Sequence, residues 1–221
     1  MSYTRKEIQI HAHLAELYET YKDQPFIQFE KTIEVAGTQY LETIIGAIRN
    51  RKVLKLYYHP FYEDRPYFAD VHPYLLKEYR FRWYLVGLNA YREQVRTYAL
   101  DRIRDIQDAE GIPYIDKNFD AGEYFKHSIG IIVPEGPPSL IRLAVQKTQA
   151  QYLISSPWHP SQNLLEENDN EVIFSFRVHP TYEFKSLILG LGKDALVLEP
   201  ESFRVELMRE FRELAGRYQT G

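Results

Sequence analysis

The chain contains no cysteine. That excludes disulfides, thiolate metal sites, iron–sulfur clusters and cysteine nucleophiles, and it fits a reducing cytoplasm. No apolar run approaches the roughly 20 residues needed to span a bilayer. The opening residues Met1-Ser2-Tyr3-Thr4-Arg5-Lys6 are not followed by an apolar signal core. A soluble, cytoplasmic protein is expected. Catalytic signatures are missing too. There is no glycine-rich phosphate loop. Gly190-Leu191-Gly192 lacks the preceding strand and third glycine of a dinucleotide site, and a helix stop explains it better. His159 and His179 each precede proline, which marks turns. Glu166-Glu167 borders a hairpin turn and reads as solvated. No nucleophile, acid and base form a coherent set, so no enzymatic activity, cofactor or metal site is expected.

What is present is ordinary in total and uneven in detail. The 221 residues are 44% hydrophobic and 26% charged, enough for one or two domains with a sizeable core. Tyrosine is abundant at 18 copies against 2 tryptophans. Tyrosine suits half-buried strands and contact surfaces alike. Net charge is −4, but its distribution swings. Residues 1–48 hold 4 basic and 7 acidic side chains, 49–105 hold 12 and 7, and 106–221 hold 11 and 17. The segment nets are therefore −3, +5 and −6. A basic middle between acidic flanks is a candidate anion site.

The basic middle centres on Arg80-Phe81-Arg82-Trp83-Tyr84-Leu85-Val86-Gly87-Leu88, which reads as a strand. Period two puts Phe81, Trp83 and Leu85 on one face, with Arg82, Tyr84, Val86 and Leu88 on the other. Arginines beside aromatics can pair phosphates and stack on planar bases. The plain structural alternative is a core strand with solvated arginines at its start.

Around it the chain changes texture twice. Residues 5–21 read as a helix, and His11 and His13, two apart, face different sides, so they share no metal. Residues 26–35 read as an extended piece. Residues 39–51 read as a second helix with Tyr40, Ile44, Ala47 and Ile48 as its apolar stripe. Short strands follow at 53–58, 70–77, 80–88 and 95–99, with Pro73 marking an edge or a bulge. In the last of these Arg96, Tyr98 and Leu100 share a face, joined by Arg102 if the extended run continues. Residues 111–122 read as a linker with a short helical piece near 119–125. A loop at 130–139 carries Pro134, Gly136, Pro137 and Pro138. Beyond it the order β-α-β-β-α-β-α is a split βαβ layout plus one helix. The expected fold class is α+β. N-terminal helices (1–45) lead into a small antiparallel β-barrel (46–110). A linker (111–139) and a ferredoxin-like domain (140–221) follow.

Several pieces in order carry a family pattern: Leu56-Tyr57-Tyr58, His72-Pro73-Tyr74, Arg82-Trp83-Tyr84-Leu85-Val86-Gly87 and Arg96-Thr97-Tyr98-Ala99-Leu100-Asp101-Arg102-Ile103. With Trp158-His159-Pro160-Ser161-Gln162 and Leu187-Ile188-Leu189-Gly190-Leu191-Gly192, the chain resembles the WYL-domain family of bacterial transcriptional regulators and their C-terminal extension. The resemblance implies an Sm-like or SH3-like barrel that senses a ligand, usually in a homodimer carrying a DNA-binding winged helix ahead of the barrel. The implied ligand is single-stranded nucleic acid or a related nucleotide-like anion. The implied contact residues are Arg82, Tyr84, Arg96, Tyr98 and Arg102, with Trp83 and Arg80 beside them and His72 and His59 at the border. The first 45 residues are too few and too acidic for a helix-turn-helix, so sensing is expected of this polypeptide and direct operator binding is not. The competing expectation is a ligand-free dimerisation module.

Overall fold

The computed structural model describes residues 13, 16–22, 24, 26 and 35–219. Residues 16–21 are helical. His13 is helical too, while residues 5–12 (His11 among them), 14 and 15 of the expected first helix and residues 27–34 of the expected extended piece lie outside the described residues. The chain divides into two compact units, Met1–Gly122 and Glu123–Gly221.

The first unit is one helix on one antiparallel sheet. Helix α1 (Leu41–Asn50) follows a single 3-10 turn (Thr38–Tyr40). It buries Ile44 and Ala47, one turn apart on the face its periodicity predicts. Arg51 ends it in the left-handed region, and the Lys52 N–H donates to the Ala47 carbonyl at 2.9 Å. The strands are β1 (Leu54–Tyr58), β2 (Tyr67–Tyr79), β3 (Arg82–Asn89), β4 (Gln94–Ala99) and β5 (Ile103–Asp108). Their order is β4-β3-β2-β1-β5, so β4 and β5 are the two edges of the sheet as paired. The expected small barrel is thus represented by a linear five-stranded order, with no described closure between its edges.

The strand ends differ from the sequence expectation in two instructive places. Arg80 and Phe81 are not strand. They form the two-residue turn between β2 and β3, with φ of 50° and 63°. Two positive φ values match the right-handed twist of a tight hairpin, and the Phe81 N–H is held by Glu78 Oε1 at 2.8 Å. At Pro73 the register slips, giving a bulge in an interior strand rather than an edge.

Register assigns the faces. Leu85 pairs with Tyr98, Gly87 with Arg96, and Asn89 with Gln94. Leu54 pairs with Val71, Leu56 with Ala69, and Tyr58 with Tyr67. Paired residues share a face, so these form one inner surface. Ile44 and Ala47 of α1 join Leu54, Leu56, Val71, Leu85 and Leu100 in the core at one end of it. Tyr84, Val86 and Leu88 point to the opposite face, paired with Ala99, Thr97 and Val95.

The second unit has strands β6 (Ser139–Gln146), β7 (Asn163–Glu167), β8 (Glu171–Val178) and β9 (Ala195–Glu199). A one-turn helix α2 (Ala121–Tyr124) spans the boundary, followed by α3 (Lys147–Ser155), α4 (Tyr182–Leu191) and α5 (Glu201–Gln219). The element order is the expected β-α-β-β-α-β-α, and the sheet order is β7-β8-β6-β9, all antiparallel. Ile141, Leu143 and Val145 alternate into a core with Phe174, Phe176, Phe184 and Phe203. Lys185 of α4 donates to both Glu206 and Glu210 of α5 at 2.6 Å, fixing that helix against its neighbour.

Candidate ligand-binding site

The inner face of the first sheet is covered by α1 at one end only. At the other end, tyrosines replace aliphatic residues. Tyr58 continues the alternation of Leu54 and Leu56 and so points inward. Its ring lies 5.2 Å from Tyr98 at 86° and 5.9 Å from Tyr67 at 69°. Both are edge-to-face contacts, the favoured geometry for such pairs. Tyr58 Oη accepts the Ala99 N–H at 3.2 Å, and Tyr98 Oη accepts from Asn89 Nδ2 at 2.8 Å. Asn89 Oδ1 in turn accepts the Arg92 N–H at 2.8 Å, which ties the β3–β4 loop to the same cluster.

Burial raises all three phenols above the ordinary tyrosine range, Tyr98 to about 12. The Ala99 N–H and the Arg102 guanidinium oppose the rise at Tyr58. Arg92 and Arg96 oppose it at Tyr67, and Asn89 and Arg96 at Tyr98. The rings are therefore neutral hydroxyl carriers at pH 7, set among cations.

The cations come from three places. Arg96 lies opposite Gly87, which offers no side chain to cover it. Its Nη2 reaches only Gln94 Oε1 at 3.5 Å, and its buried Nε has no hydrogen-bond partner. Arg102 arrives by a different route from the one the strand pattern suggests. The extended run stops at Ala99, and Leu100–Arg102 is a 3-10 turn. That turn lays the Arg102 guanidinium 4.4 Å from the Phe61 ring centre. Arg102 Nε is also buried without a hydrogen-bond partner, with Asp101 Oδ1 3.9 Å away. Arg92 sits on the exposed β3–β4 loop.

The nine residues expected from sequence fall into two groups. Arg96, Tyr98 and Arg102 come together at this tyrosine cluster. The other six do not. Arg82 is on the opposite face, 3.5 Å from Asp101. Tyr84 is 7% exposed on that same opposite face. The reason is parity: Tyr84 pairs with Ala99, so Tyr84 and Tyr98 cannot share a side. Trp83 packs against the core near α1. Arg80 lies in the hairpin turn, over the Tyr79 ring at 5.4 Å. His72 is fully buried on the opposite face, where its Nδ1 accepts the Ile115 N–H at 3.1 Å and Tyr114 packs on its ring. Burial lowers its pKa. His59 donates from Nε2 to the Glu63 carbonyl at 3.0 Å, shaping the β1–β2 loop.

Sequence reasoning missed Tyr58, Phe61, Tyr67, Asn89 and Arg92. The signal for Tyr58 was available in the Leu54–Leu56–Tyr58 alternation. Phe61 and Arg92 lie in loops, where no periodicity points to a face.

Among the described residues, no group of three or more His, Asp or Glu side chains is placed to hold a metal ion. No described helix is long and apolar enough to cross a membrane. A groove of about 520 Å³ lies in the second unit between α5 and β9, floored by Ile188, Val197, Met208 and Phe211. Its lining is largely apolar, with Glu201, Arg204 and Arg212 also contributing to it.

Residues 39–108 match the WYL domain, and residues 137–215 match the WCX domain. The chain belongs to the WYL-domain family. No curated protein matches it in sequence. Among solved structures, a CRISPR Cas-related protein is similar at 16% identity with a TM-score of 0.51, covering 81% of this chain and 51% of that one. That likeness is one of fold. Proteasome accessory factor B/C of Arthrobacter aurescens is 20% identical with a TM-score of 0.36, covering 80% of this chain and 26% of that one. This WYL-family chain therefore spans about a quarter of one neighbour and half of the other. Its tyrosine cluster lies wholly within the WYL-matched residues.

Proposed function

We propose that this WYL-family chain is a sensing region of a transcriptional regulator that binds single-stranded nucleic acid, or a nucleotide-like anion, at the Tyr58–Tyr67–Tyr98 cluster. In this reading 46–110 is an Sm-like sensor, 111–139 a linker and 140–221 a ferredoxin-like extension. The chain works by binding and not by turnover.

The observation that carries the reading is the pair of buried guanidinium Nε atoms that make no hydrogen bond, those of Arg96 and of Arg102, the latter with Asp101 Oδ1 at 3.9 Å, beside neutral phenols. An unmade charged hydrogen bond at a buried donor costs about 1–3 kcal/mol or more, which a phosphate oxygen recovers. Phe61, 72% exposed and already faced by Arg102, offers a ring for a base. Stacking of one base on such a ring contributes roughly 1–3 kcal/mol.

Fluorescence anisotropy with a labelled single-stranded oligonucleotide and competing mononucleotides tests it. Saturable binding that weakens steeply with salt is expected, because phosphate pairing releases counterions. A flat titration at low salt would overturn the proposal.

The same reading includes a homodimer. Its support is the last helix, where Met208, Phe211, Leu214 and Tyr218 stay 40–82% exposed. A chain that sediments as a monomer at high micromolar concentration refutes this part.

A further inference from the structure

One carboxylate stands beside the tyrosine cluster with its charge incompletely matched. Asp101 is the middle residue of the 3-10 turn Leu100–Arg102. Its side chain is only 12% exposed. Oδ2 lies 3.5 Å from Arg82 Nη1, on the far face of the sheet, and Oδ1 lies 3.9 Å from Arg102 Nε. That Oδ1 and that Nε are both buried, and neither makes a hydrogen bond. A donor and an acceptor of opposite charge thus stand across a gap too wide for a hydrogen bond.

The backbone holds the carboxylate where it is. Leu100 is 1% exposed, in the core under α1. A Cβ on Gly37 would lie 2.4 Å from the Leu100 carbonyl carbon and 2.7 Å from the Asp101 nitrogen, so backbone packs directly on backbone there. From the other side the His59 N–H donates to the Arg102 carbonyl at 3.0 Å. Asp101 is therefore a fixed negative charge next to one of the two guanidiniums that face the phenols.

Other charges near the cluster are better screened. Glu63 acts on the Tyr67 phenol, but it sits on the exposed β1–β2 loop. Arg92 is on the exposed β3–β4 loop, and Arg82 is 47% exposed on the far face. Water and salt weaken all three. The charges that count most at the cluster are thus Arg96, Arg102 and Asp101, two cations against one carboxylate. Their surplus is a single positive charge. A phosphodiester carries one negative charge and cancels it. A phosphomonoester carries nearly two at pH 7.5, and the second is left without a counterpart.

Building on the binding reading in the preceding section, we propose that Asp101 makes the tyrosine cluster selective for phosphodiesters over phosphomonoesters. Internal linkages of a strand then fit, and a free mononucleotide is disfavoured. Its second charge meets a largely buried carboxylate that cannot withdraw, and like charges so placed repel.

Thymidine 5′-monophosphate and its methyl ester differ only in whether the phosphate is a monoester or a diester. Competition of each against a labelled oligothymidylate without terminal phosphate, on the full chain at constant ionic strength, tests the selectivity. At pH 7.5 the methyl ester should compete about 10-fold better. At pH 5 the monophosphate falls to a single charge, and the difference should shrink to about twofold. Asp101→Asn should tighten the monophosphate about 10-fold and the ester about threefold at pH 7.5, narrowing the preference. A monophosphate that competes as well as its ester in the wild type, or a full preference kept in Asp101→Asn, overturns the proposal. Should that variant not fold, the wild-type comparison at the two pH values decides. Should the oligothymidylate bind and neither small competitor displace it, Asp101→Asn must tighten the oligonucleotide about threefold, and no change overturns the proposal. A flat oligonucleotide titration is a different failure: it refutes the binding reading itself, and this selectivity with it.

Discussion

Replacing Arg96 and Arg102 together by alanine is expected to weaken single-strand binding by about 100-fold or more. In the proposed complex each guanidinium gives phosphate a charge-assisted hydrogen bond worth about 1.5–3 kcal/mol, and two such losses compound. The salt dependence should fall with them, its log–log slope shrinking by about 1.4 for two lost phosphate contacts on a single strand. The fold should survive, because neither arginine belongs to the apolar core beneath α1. Anisotropy across a salt series gives both quantities. Arg80→Ala is the matched control. It removes one positive charge, against two in the double variant, from the hairpin turn outside the cluster, and should change affinity by less than about twofold. If Arg80→Ala weakens binding as much as the double variant, general basicity of the segment is responsible and the cluster is not.

The second large effect concerns a residue without a side chain. A Cβ on Gly87 would lie 2.5 Å from the His72 carbonyl oxygen and 2.7 Å from Val71 Cγ1. The oxygen belongs to backbone, so neither strand can yield cheaply at the Pro73 bulge. Gly87→Ala is expected to cost about 3 kcal/mol and to lower Tm by roughly 10 °C. It would also crowd the face opposite Arg96, so affinity should fall in whatever fraction remains folded. Gly46 is the contrasting case. Nothing lies within 4 Å of a Cβ there, in the middle of α1, and Gly46→Ala should stabilise by about 1 kcal/mol. Thermal unfolding followed by circular dichroism measures both, and equal behaviour of the two variants would contradict the close approach of β2 and β3 at Gly87.

How far these sites could be read from sequence depends on what fixes each side chain's direction. The second unit was legible almost element by element, because Ile141, Leu143 and Val145 alternate cleanly and the helices keep their period. In the first unit, alternation along each strand was also legible. Alternation between strands was not. The β3–β4 register, set by the loop at 90–93, decides that Tyr98 shares a face with Leu85 and not with Tyr84. The 3-10 turn at Leu100–Arg102 resets the parity once more, yet it still delivers Arg102 to the cluster. Arg80 and Phe81 looked like strand because aromatic and charged residues alternate there, and only the backbone shows their turn conformation. His72 looked like a border residue. Its burial depends on Tyr114 and Ile115, some 40 residues away, and no local pattern carries that contact.

The account turns on which face of the first sheet receives the ligand. Ultraviolet cross-linking of an oligonucleotide carrying 5-iododeoxyuridine, followed by peptide mapping, reads that face directly. Adducts on Phe61, Tyr58 or Tyr67 are the predicted result. Adducts confined to Tyr57, Phe68 or Tyr84, whose rings belong to the other side of the sheet, would contradict it.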